Sequence, residues 1–192
     1  MTVARKEGTK TIADWLAQPA ELRLEFIDGQ LIEKAAPTPA HGNTQLGIGG
    51  QLNPFRTRAG GPGGPGGWWI VSEVDIVLDG RGYRPDLLGW RRDHVPELPN
   101  SRPVTVTPDW ICEIVSESNR SVDTVIKFRR YHQSQVPHYW IMDLIDRTLT
   151  VYRREPQGYL VALRAEAGEK VRAEPFDAIE LEVAVLFGAD PE

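Results

Sequence analysis

The 192 residues suffice for one domain with a substantial core, and the 41% hydrophobic and 26% charged shares are ordinary for a globular protein. A single cysteine, Cys112, excludes an internal disulfide framework and a zinc site built from cysteines. The net charge of −5 argues against a broad surface that coats nucleic acid, although local basic patches can still contact DNA. No apolar run approaches the roughly 20 residues that span a bilayer. We therefore expect a cytoplasmic protein with no membrane segment.

The amino-terminal part of the chain predicts a helix, a hairpin and a second helix. Residues 11–18 carry apolar side chains at helical spacing. Residues 22–34 predict a β-hairpin because the Asp-Gly pair at 28–29 is a strong hairpin turn signal. A helix is predicted over about 40–58, although its four glycines weaken it. We therefore assign residues 1–36 to an amino-terminal helix and β-hairpin extension.

The middle of the chain predicts a loop and three strands. Residues 59–67 are almost wholly glycine and proline, and we expect a flexible surface loop there. Strands are predicted at about 68–78 and 83–90, with a turn between them. A polar, proline-rich excursion at 91–107 then leads into a central strand at 109–116.

The carboxy-terminal part predicts a helix from about Ser121 to Ser134, with Ser121 as its N-cap. Three strands follow, at 138–144, 148–154 and 159–165. An acidic strand and a short helix close the chain at about 179–188. Because strand, helix and strand follow one another over 109–144, a parallel crossover is expected there. The fold class is therefore mixed α/β, a mixed β-sheet flanked by helices in a single domain over 1–192.

The most informative residue is a glutamate inside an otherwise apolar run. Residues 109–116 read Asp-Trp-Ile-Cys-Glu-Ile-Val-Ser, and strand alternation puts Glu113 and Val115 on one face and Cys112 on the other. Both faces are largely apolar, so we expect this strand to be covered on both sides. A carboxylate there costs several kcal/mol unless a metal ion, a cation or a proton pairs with it.

Two further charged residues are candidate partners of Glu113. Asp86 stands at the mouth of a predicted strand, and if the two strands are neighbours, both carboxylates can converge on Mg²⁺ or Mn²⁺, which prefer oxygen ligands. Lys127 lies on the next helix, four residues after Asp123 and four before Tyr131. It is either half of an ordinary helical ion pair or an ammonium group that stabilises a transition state.

Three residues are possible accessory groups, each with an ordinary structural alternative. His41 could hydrogen-bond a phosphate or a catalytic acid, or could cap a helix. Glu73 could supply a further acid to a metal, or could be an exposed or hairpin-paired glutamate. Tyr131 could support Lys127 or simply pack in the core. Glu25, on the amino-terminal hairpin, is interpreted as structural.

Several motifs together resemble a known family. They are Arg23 to Leu31, His41, Pro85-Asp86, Glu113-Ile114-Val115-Ser116, Asp123 with Lys127 and Tyr131, Val136 to Asp143, and Leu181 to Phe187. In order and spacing they resemble the Uma-two branch of the PD-(D/E)XK nuclease superfamily, bacterial proteins described as restriction-endonuclease-like. The resemblance covers about residues 11–188.

The resemblance implies an α-β-β-β-α-β core with a metal-dependent site that cleaves DNA. By position, Asp86 and Glu113 look like the metal ligands, the backbone carbonyl of Ile114 is similar to a third ligand, and Mg²⁺ or Mn²⁺ is the implied cofactor. The superfamily lysine normally stands two residues after the second acid, where this chain has Val115. Lys127 on the following helix would replace it.

The leading hypothesis is a Mg²⁺-dependent endodeoxyribonuclease that hydrolyses DNA with a metal-activated water. Symmetric dimers are common, and a homodimer would help a nuclease to cut two strands. One alternative is a catalytically weak or inactive nuclease fold that serves as a binding or assembly module, as the acidic net charge and the displaced lysine suggest. A second alternative is a metal-dependent hydrolase of a non-nucleic phosphodiester.

Overall fold

The computed structural model describes residues 9–59, 64–116 and 122–191. Its first elements are α1 (Ile12–Leu16), the hairpin strands β1 (Leu24–Ile27) and β2 (Gln30–Glu33), and α2 (Pro39–Gln51). The predicted short helix and hairpin are confirmed. The second helix ends earlier than predicted and continues only as a 3₁₀ turn over Asn53–Arg56. Pro54 explains this end, because it has no N–H with which to continue the i→i−4 hydrogen bonds of the helix.

The two strands predicted over 68–78 and 83–90 are each interrupted. The structure has four strands instead, namely β3 (Trp68–Ser72), β4 (Ile76–Leu78), β5 (Arg81–Tyr83) and β6 (Leu87–Arg91). The first break is at Glu73, whose φ of 57° lies in the left-handed region. The second is at Pro85, whose carbonyl accepts a hydrogen bond of 3.2 Å from the Glu73 N–H. The two interruptions therefore lie side by side.

The carboxy-terminal half follows the predicted order. Its elements are β7 (Trp110–Val115), a π-helical turn (Val122–Lys127) that runs into α3 (Phe128–Gln133), β8 (His138–Asp143), β9 (Thr148–Glu155), β10 (Gly158–Glu166), β11 (Lys170–Val171), β12 (Leu181–Glu182) and α4 (Val183–Leu186). The predicted N-cap Ser121 and part of the glycine/proline loop, residues 60–63, lie outside the described residues.

The main sheet has six strands in the order β10-β9-β8-β7-β6-β3. Its β7 and β8 pair in parallel, as the crossover over 109–144 predicts, and the other neighbours pair antiparallel. In chain order, α2, β3, β6, β7, α3 and β8 give the expected α-β-β-β-α-β core. The prediction of a mixed sheet flanked by helices is confirmed.

The sheet buries an apolar cluster on each face, as the alternation in β7 predicts. Trp110, Cys112 and Ile114 point into the cluster that includes residues of α2 and α4. Ile111 and Val115 point into the opposite cluster, beneath α3 and the strands β4 and β5. Glu113 shares the second face, so β7 is covered on both sides and the glutamate is buried.

The amino-terminal hairpin is more than an appendage to this sheet. It joins β4 and β5 in a second, four-stranded antiparallel sheet of order β2-β1-β5-β4. Both sheets meet where the chain crosses between them at Glu73 and Pro85. The hairpin therefore stands over one end of β6 and β7.

Two glycines of α2 make a matched test of helix packing. A Cβ at Gly47 would collide with the backbone carbonyl oxygens of Val185 and Leu186, whereas a Cβ at Gly49 would meet nothing within 4 Å. We expect Gly49→Ala to raise the free energy of unfolding by about 0.5–1 kcal/mol, because alanine loses less entropy in a helix. We expect Gly47→Ala to lower it by about 1–3 kcal/mol through overpacking. Urea unfolding of both variants measures the contrast, and equal effects would contradict this close approach of α2 and α4.

Among the described residues, none of the helices has the length and apolar content to cross a membrane.

Candidate functional site

Asp86 and Glu113 are brought together by the pairing of β6 and β7. Leu87 lies opposite Cys112 in the antiparallel register, so the residue before β6 falls beside the end of β7. The Ile114 N–H donates a 2.7 Å hydrogen bond to Asp86 Oδ2. Both carboxylates are fully buried. Because the N–H and C=O of one strand residue point the same way, the Ile114 carbonyl is also directed to the Asp86 side.

Each acid has one oxygen held by the protein and a second that faces Lys34. Tyr131 donates a 2.8 Å hydrogen bond to Glu113 Oε1, and Lys127 Nζ lies 3.1 Å from the same oxygen. The other oxygens, Asp86 Oδ1 and Glu113 Oε2, lie 2.7 Å and 4.0 Å from Lys34 Nζ. Glu113 Oε2 is buried and has no hydrogen-bond partner within the described part of the chain. A cation therefore lies between the two acids.

That cation, Lys34, was not among the candidates from the sequence. It follows β2 directly, so the hairpin turn at 28–29 fixes its position over the site. Its ammonium group also donates a 2.7 Å hydrogen bond to the Arg84 carbonyl oxygen. An ammonium group has three N–H donors, so the contacts with Asp86 and Arg84 account for two of them.

Lys127 is more enclosed than Lys34. Its Nζ lies 3.0 Å from Glu25, 3.1 Å from Glu113 and 3.0 Å from Asp123. The three carboxylates match its three N–H donors. The i,i+4 contact with Asp123 that the helix spacing predicted is present, but it is buried rather than on a solvated surface. As the structure stands, Lys127 orders the acids and has no donor left for a further group.

The buried charges of the described residues at this site do not balance. Four carboxylates (Glu25, Asp86, Glu113 and Asp123) surround two ammonium groups, which leaves two excess negative charges within this described set if every group is ionised. Buried charge of one sign binds protons or cations. A cavity of about 300 Å³, lined by both lysines among others, adjoins the cluster.

The pKa values of the two central acids are pushed apart. Burial raises the pKa of Glu113 to about 8, against the opposing attraction of Lys127. Burial also opposes ionisation of Asp86, but Lys34 and His41 outweigh it and hold the Asp86 pKa below its usual range. For Lys127, burial disfavours the charge, yet Asp123, Glu113 and Glu25 raise its pKa well above the usual range. Near neutral pH, Asp86 is ionised and Glu113 readily holds a proton.

His41 and Glu73 form a second group of donors around Asp86. One donor atom each from His41, Glu73 and Asp86 lie within 4.8 Å of one another. His41 is in the first turn of α2, where its backbone N–H is bound by the N-cap Thr38. One turn later, Gln45 Nε2 donates a 2.7 Å hydrogen bond to the Asp86 carbonyl oxygen. The helix thus presents one face to Asp86.

The structure places all the sequence candidates in one region. Glu113, Lys127 and Tyr131 are linked by direct contacts, and Asp86 is joined to Glu113 through Lys34. His41 and Glu73 lie at Asp86. Sequence reasoning missed Lys34, and it gave Glu25 only a structural role. The signal that singled out Glu113, a charge within an apolar strand, was also present at Glu25 in the run Leu-Glu-Phe-Ile.

The donor set suits a hard divalent cation. Carboxylate and backbone carbonyl oxygens are the ligands that Mg²⁺ and Mn²⁺ prefer. The unpartnered Glu113 Oε2 and the excess of buried negative charge fit such an ion. An ion between Asp86 and Glu113 would take the position next to the Lys34 ammonium, and Lys34 would then turn its donors towards the cavity.

Comparison with known proteins gives matches to a family model and to solved structures. The Uma2 family model, described as "Putative restriction endonuclease", matches residues 11–185. The crystal structure of "a putative nuclease belonging to DUF820" from Anabaena variabilis is similar to this chain, with a TM-score of 0.70 and 22% sequence identity. The alignment covers 92% of this chain and 97% of that chain, and at this identity it shows a shared fold. Among curated proteins, none matches the sequence.

Proposed function

The chain belongs to the Uma2 family of restriction-endonuclease-like proteins, as its motifs predict, and on that premise we propose that it is a metal-dependent endonuclease that hydrolyses DNA. The observation that supports this most directly is the shared orientation of the two acids. Asp86 and Glu113 each keep one oxygen bound to the protein and turn the other towards a common cation position, where Lys34 lies.

Asp86, Glu113 and the Ile114 carbonyl would hold Mg²⁺ or Mn²⁺. When bound, such an ion polarises a phosphoryl oxygen and lowers the pKa of an attacking water. Tyr131 and Lys127 fix Glu113 Oε1, so that Oε2 keeps its direction without a change of rotamer. Lys127 is in this proposal a positioning residue.

Lys34 is the ammonium group best placed to meet the scissile phosphate. Its side chain is 7% exposed against 2% for Lys127, and Asp86 and the Arg84 carbonyl engage two of its three donors. A donor aimed at the phosphoryl oxygens stabilises the charge that develops on them in the transition state. In this assignment Lys34 takes the role of the superfamily lysine, whose usual position is occupied by Val115 in this chain.

The test is cleavage of supercoiled plasmid DNA by the purified wild-type chain. We expect nicked and linear products with Mg²⁺ or Mn²⁺, none after chelation with EDTA, and recovery when the ion is restored. The same assay with RNA and with bis-p-nitrophenyl phosphate separates DNA cleavage from general phosphodiester hydrolysis. A chain that binds either ion but leaves plasmid intact across pH 6–9 would contradict the proposal. A homodimer, which we also propose, is checked by the mass of the protein in solution.

A second candidate function is a nuclease fold that binds or assembles without catalysis. The observation in its favour is that Lys34 already satisfies Asp86 at 2.7 Å, as a resident cation in an inactivated site would. This candidate predicts no heat of Mg²⁺ or Mn²⁺ binding in calorimetry. A metal isotherm that disappears in Glu113→Gln would exclude it.

A further inference from the structure

The donors around His41 differ chemically from the acid pair of Asp86 and Glu113. Imidazole nitrogen is a poor ligand for Mg²⁺ and suits transition-metal ions better, with Mn²⁺ the weakest binder of that series. His41 is 8% exposed, and its Nε2 has no hydrogen-bond partner in the described ranges, although it lies 3.4 Å from Asp86 Oδ1. The contact of 3.4 Å with Asp86 is long for a hydrogen bond, so an ion bound by both side chains can replace it.

Glu73 brings a second unpartnered donor to the same place. Its Oε1 lies 3.0 Å from Arg23, whereas its Oε2 is buried without a hydrogen-bond partner among the described residues. The left-handed backbone at Glu73, with φ 57°, is where the chain leaves the main sheet for the second sheet. Such backbone costs about 1 kcal/mol or more in a residue other than glycine. It turns the strand aside next to Pro85, so that Glu73 lies beside Asp86.

The spacing of the three donors is close to that of ligands on one ion. Ligands about 2.1 Å from an octahedral ion are separated by about 3 Å when adjacent and about 4.2 Å when opposite. The donor atoms of His41, Glu73 and Asp86 all lie within 4.8 Å of one another.

We propose that His41, Glu73 and Asp86 form a second divalent-cation position, which shares Asp86 with the first and prefers Mn²⁺ to Mg²⁺ because one ligand is an imidazole nitrogen. This inference takes the first ion position from the proposed function, but its own test does not depend on nuclease activity. Two ions that share a carboxylate are a known arrangement for stabilising both the attacking and the leaving oxygen of a phosphodiester.

The test is the electron spin-echo modulation of Mn²⁺ bound to the wild-type chain. We expect nitrogen modulation, which changes to the ¹⁵N pattern when the histidines are labelled with ¹⁵N. We expect it to vanish in His41→Gln, with a loss of roughly tenfold or more in Mn²⁺ affinity at this position. Glu73→Gln should weaken Mn²⁺ binding similarly. The matched control is His94→Gln, because His94 also faces a carboxylate, Asp109 at 2.9 Å, but is 46% exposed.

The outcomes separate this inference from the proposed nuclease activity. Mn²⁺ that binds without nitrogen modulation, or modulation that survives in His41→Gln or is lost in His94→Gln, overturns the second position whatever the cleavage assay gives. Nitrogen modulation in a chain that does not cut plasmid supports the second position and counts against the nuclease. The ¹⁵N labelling uses the wild-type chain, so the result does not depend on whether a variant folds.

Discussion

Glu113→Gln is expected to lower the rate of divalent-dependent plasmid cleavage by roughly a thousandfold or more while the chain stays folded. The change removes the negative charge that would face the ion, and a loss of about 4 kcal/mol of transition-state stabilisation corresponds to such a factor. Asp86→Asn should have a comparable effect. Single-turnover nicking rates at saturating Mg²⁺ and Mn²⁺ measure both variants.

Folding should survive Glu113→Gln because the amide keeps the shape and hydrogen bonds of the acid. Its carbonyl oxygen can still accept from Tyr131 and Lys127, as Glu113 Oε1 does. Burial raises the pKa of Glu113 to about 8, so near pH 7 the metal-free protein largely carries a neutral group there already. The substitution therefore changes the ion-bound state far more than the metal-free state. Urea unfolding without metal should show a difference of about 1 kcal/mol or less.

The control is Glu33→Gln, an exposed glutamate on the neighbouring hairpin strand. It should cleave like the wild type, which shows that one surface charge near the cavity has little influence. Wild-type cleavage by an Asp86→Asn, Glu113→Gln double variant would refute the assignment of the site. Loss of cleavage together with loss of cooperative unfolding would instead mean that the acids serve folding.

Much of the fold followed from local rules. The Asp-Gly turn predicts the hairpin, and alternation in β7 correctly divides its residues between two apolar clusters. The interruption at Glu73 escaped prediction because the run from 68 to 78 is rich in strand-forming residues, whereas Pro85 is a residue that often begins or ends a strand. A left-handed glutamate has no sequence signature, since it is held by contacts from outside its own segment.

The full set of residues at the site was harder to predict than its central residue, Glu113. A glutamate inside an apolar strand is a local anomaly, so Glu113 could be recognised without any partner. Lys34 follows a strand that is only half-buried, and nothing local distinguishes it from a surface lysine. Its place over Asp86 depends on how the second sheet docks on the first, which involves contacts 52 residues apart. Such long-range pairings are not encoded in any short window.

Lys127→Met is expected to destabilise the chain by about 3–5 kcal/mol, the largest loss of stability that we predict from a single substitution at the site. Methionine fills a similar volume, so the loss comes from charge rather than from a cavity. Glu25, Glu113 and Asp123 would remain buried around an apolar group, each without its contact to the Lys127 ammonium group. Urea unfolding at pH 8 measures the difference.

The deficit of Lys127→Met should grow as the pH rises from about 8 towards about 10, because Glu113 of the wild type ionises there while Glu113 of the variant stays protonated. Burial raises the pKa of Glu113 to about 8 and that of Asp123 above its usual value, and in both cases the attraction of Lys127 opposes the rise. Without Lys127 both pKa values rise further. Acids with raised pKa values contribute stability at low pH and lose it as the pH rises through those values. A deficit that stays constant over this range would mean that packing, and not charge, is responsible.

The variant Lys34→Met distinguishes the role of Lys34 from that of Lys127. Lys34 has one close carboxylate, Asp86 at 2.7 Å, and a second at 4.0 Å, so its loss should cost only about 1.5–3 kcal/mol, the range for hydrogen bonds to a charged group. If Lys34 meets the phosphate, this variant should lose cleavage rate out of proportion to its modest loss of stability. For Lys127→Met the loss of stability should exceed the loss of cleavage rate, because that lysine would act on the phosphate only through Glu113. If Lys34→Met and Lys127→Met each lowered stability and cleavage rate in proportion, both lysines would have a purely structural role.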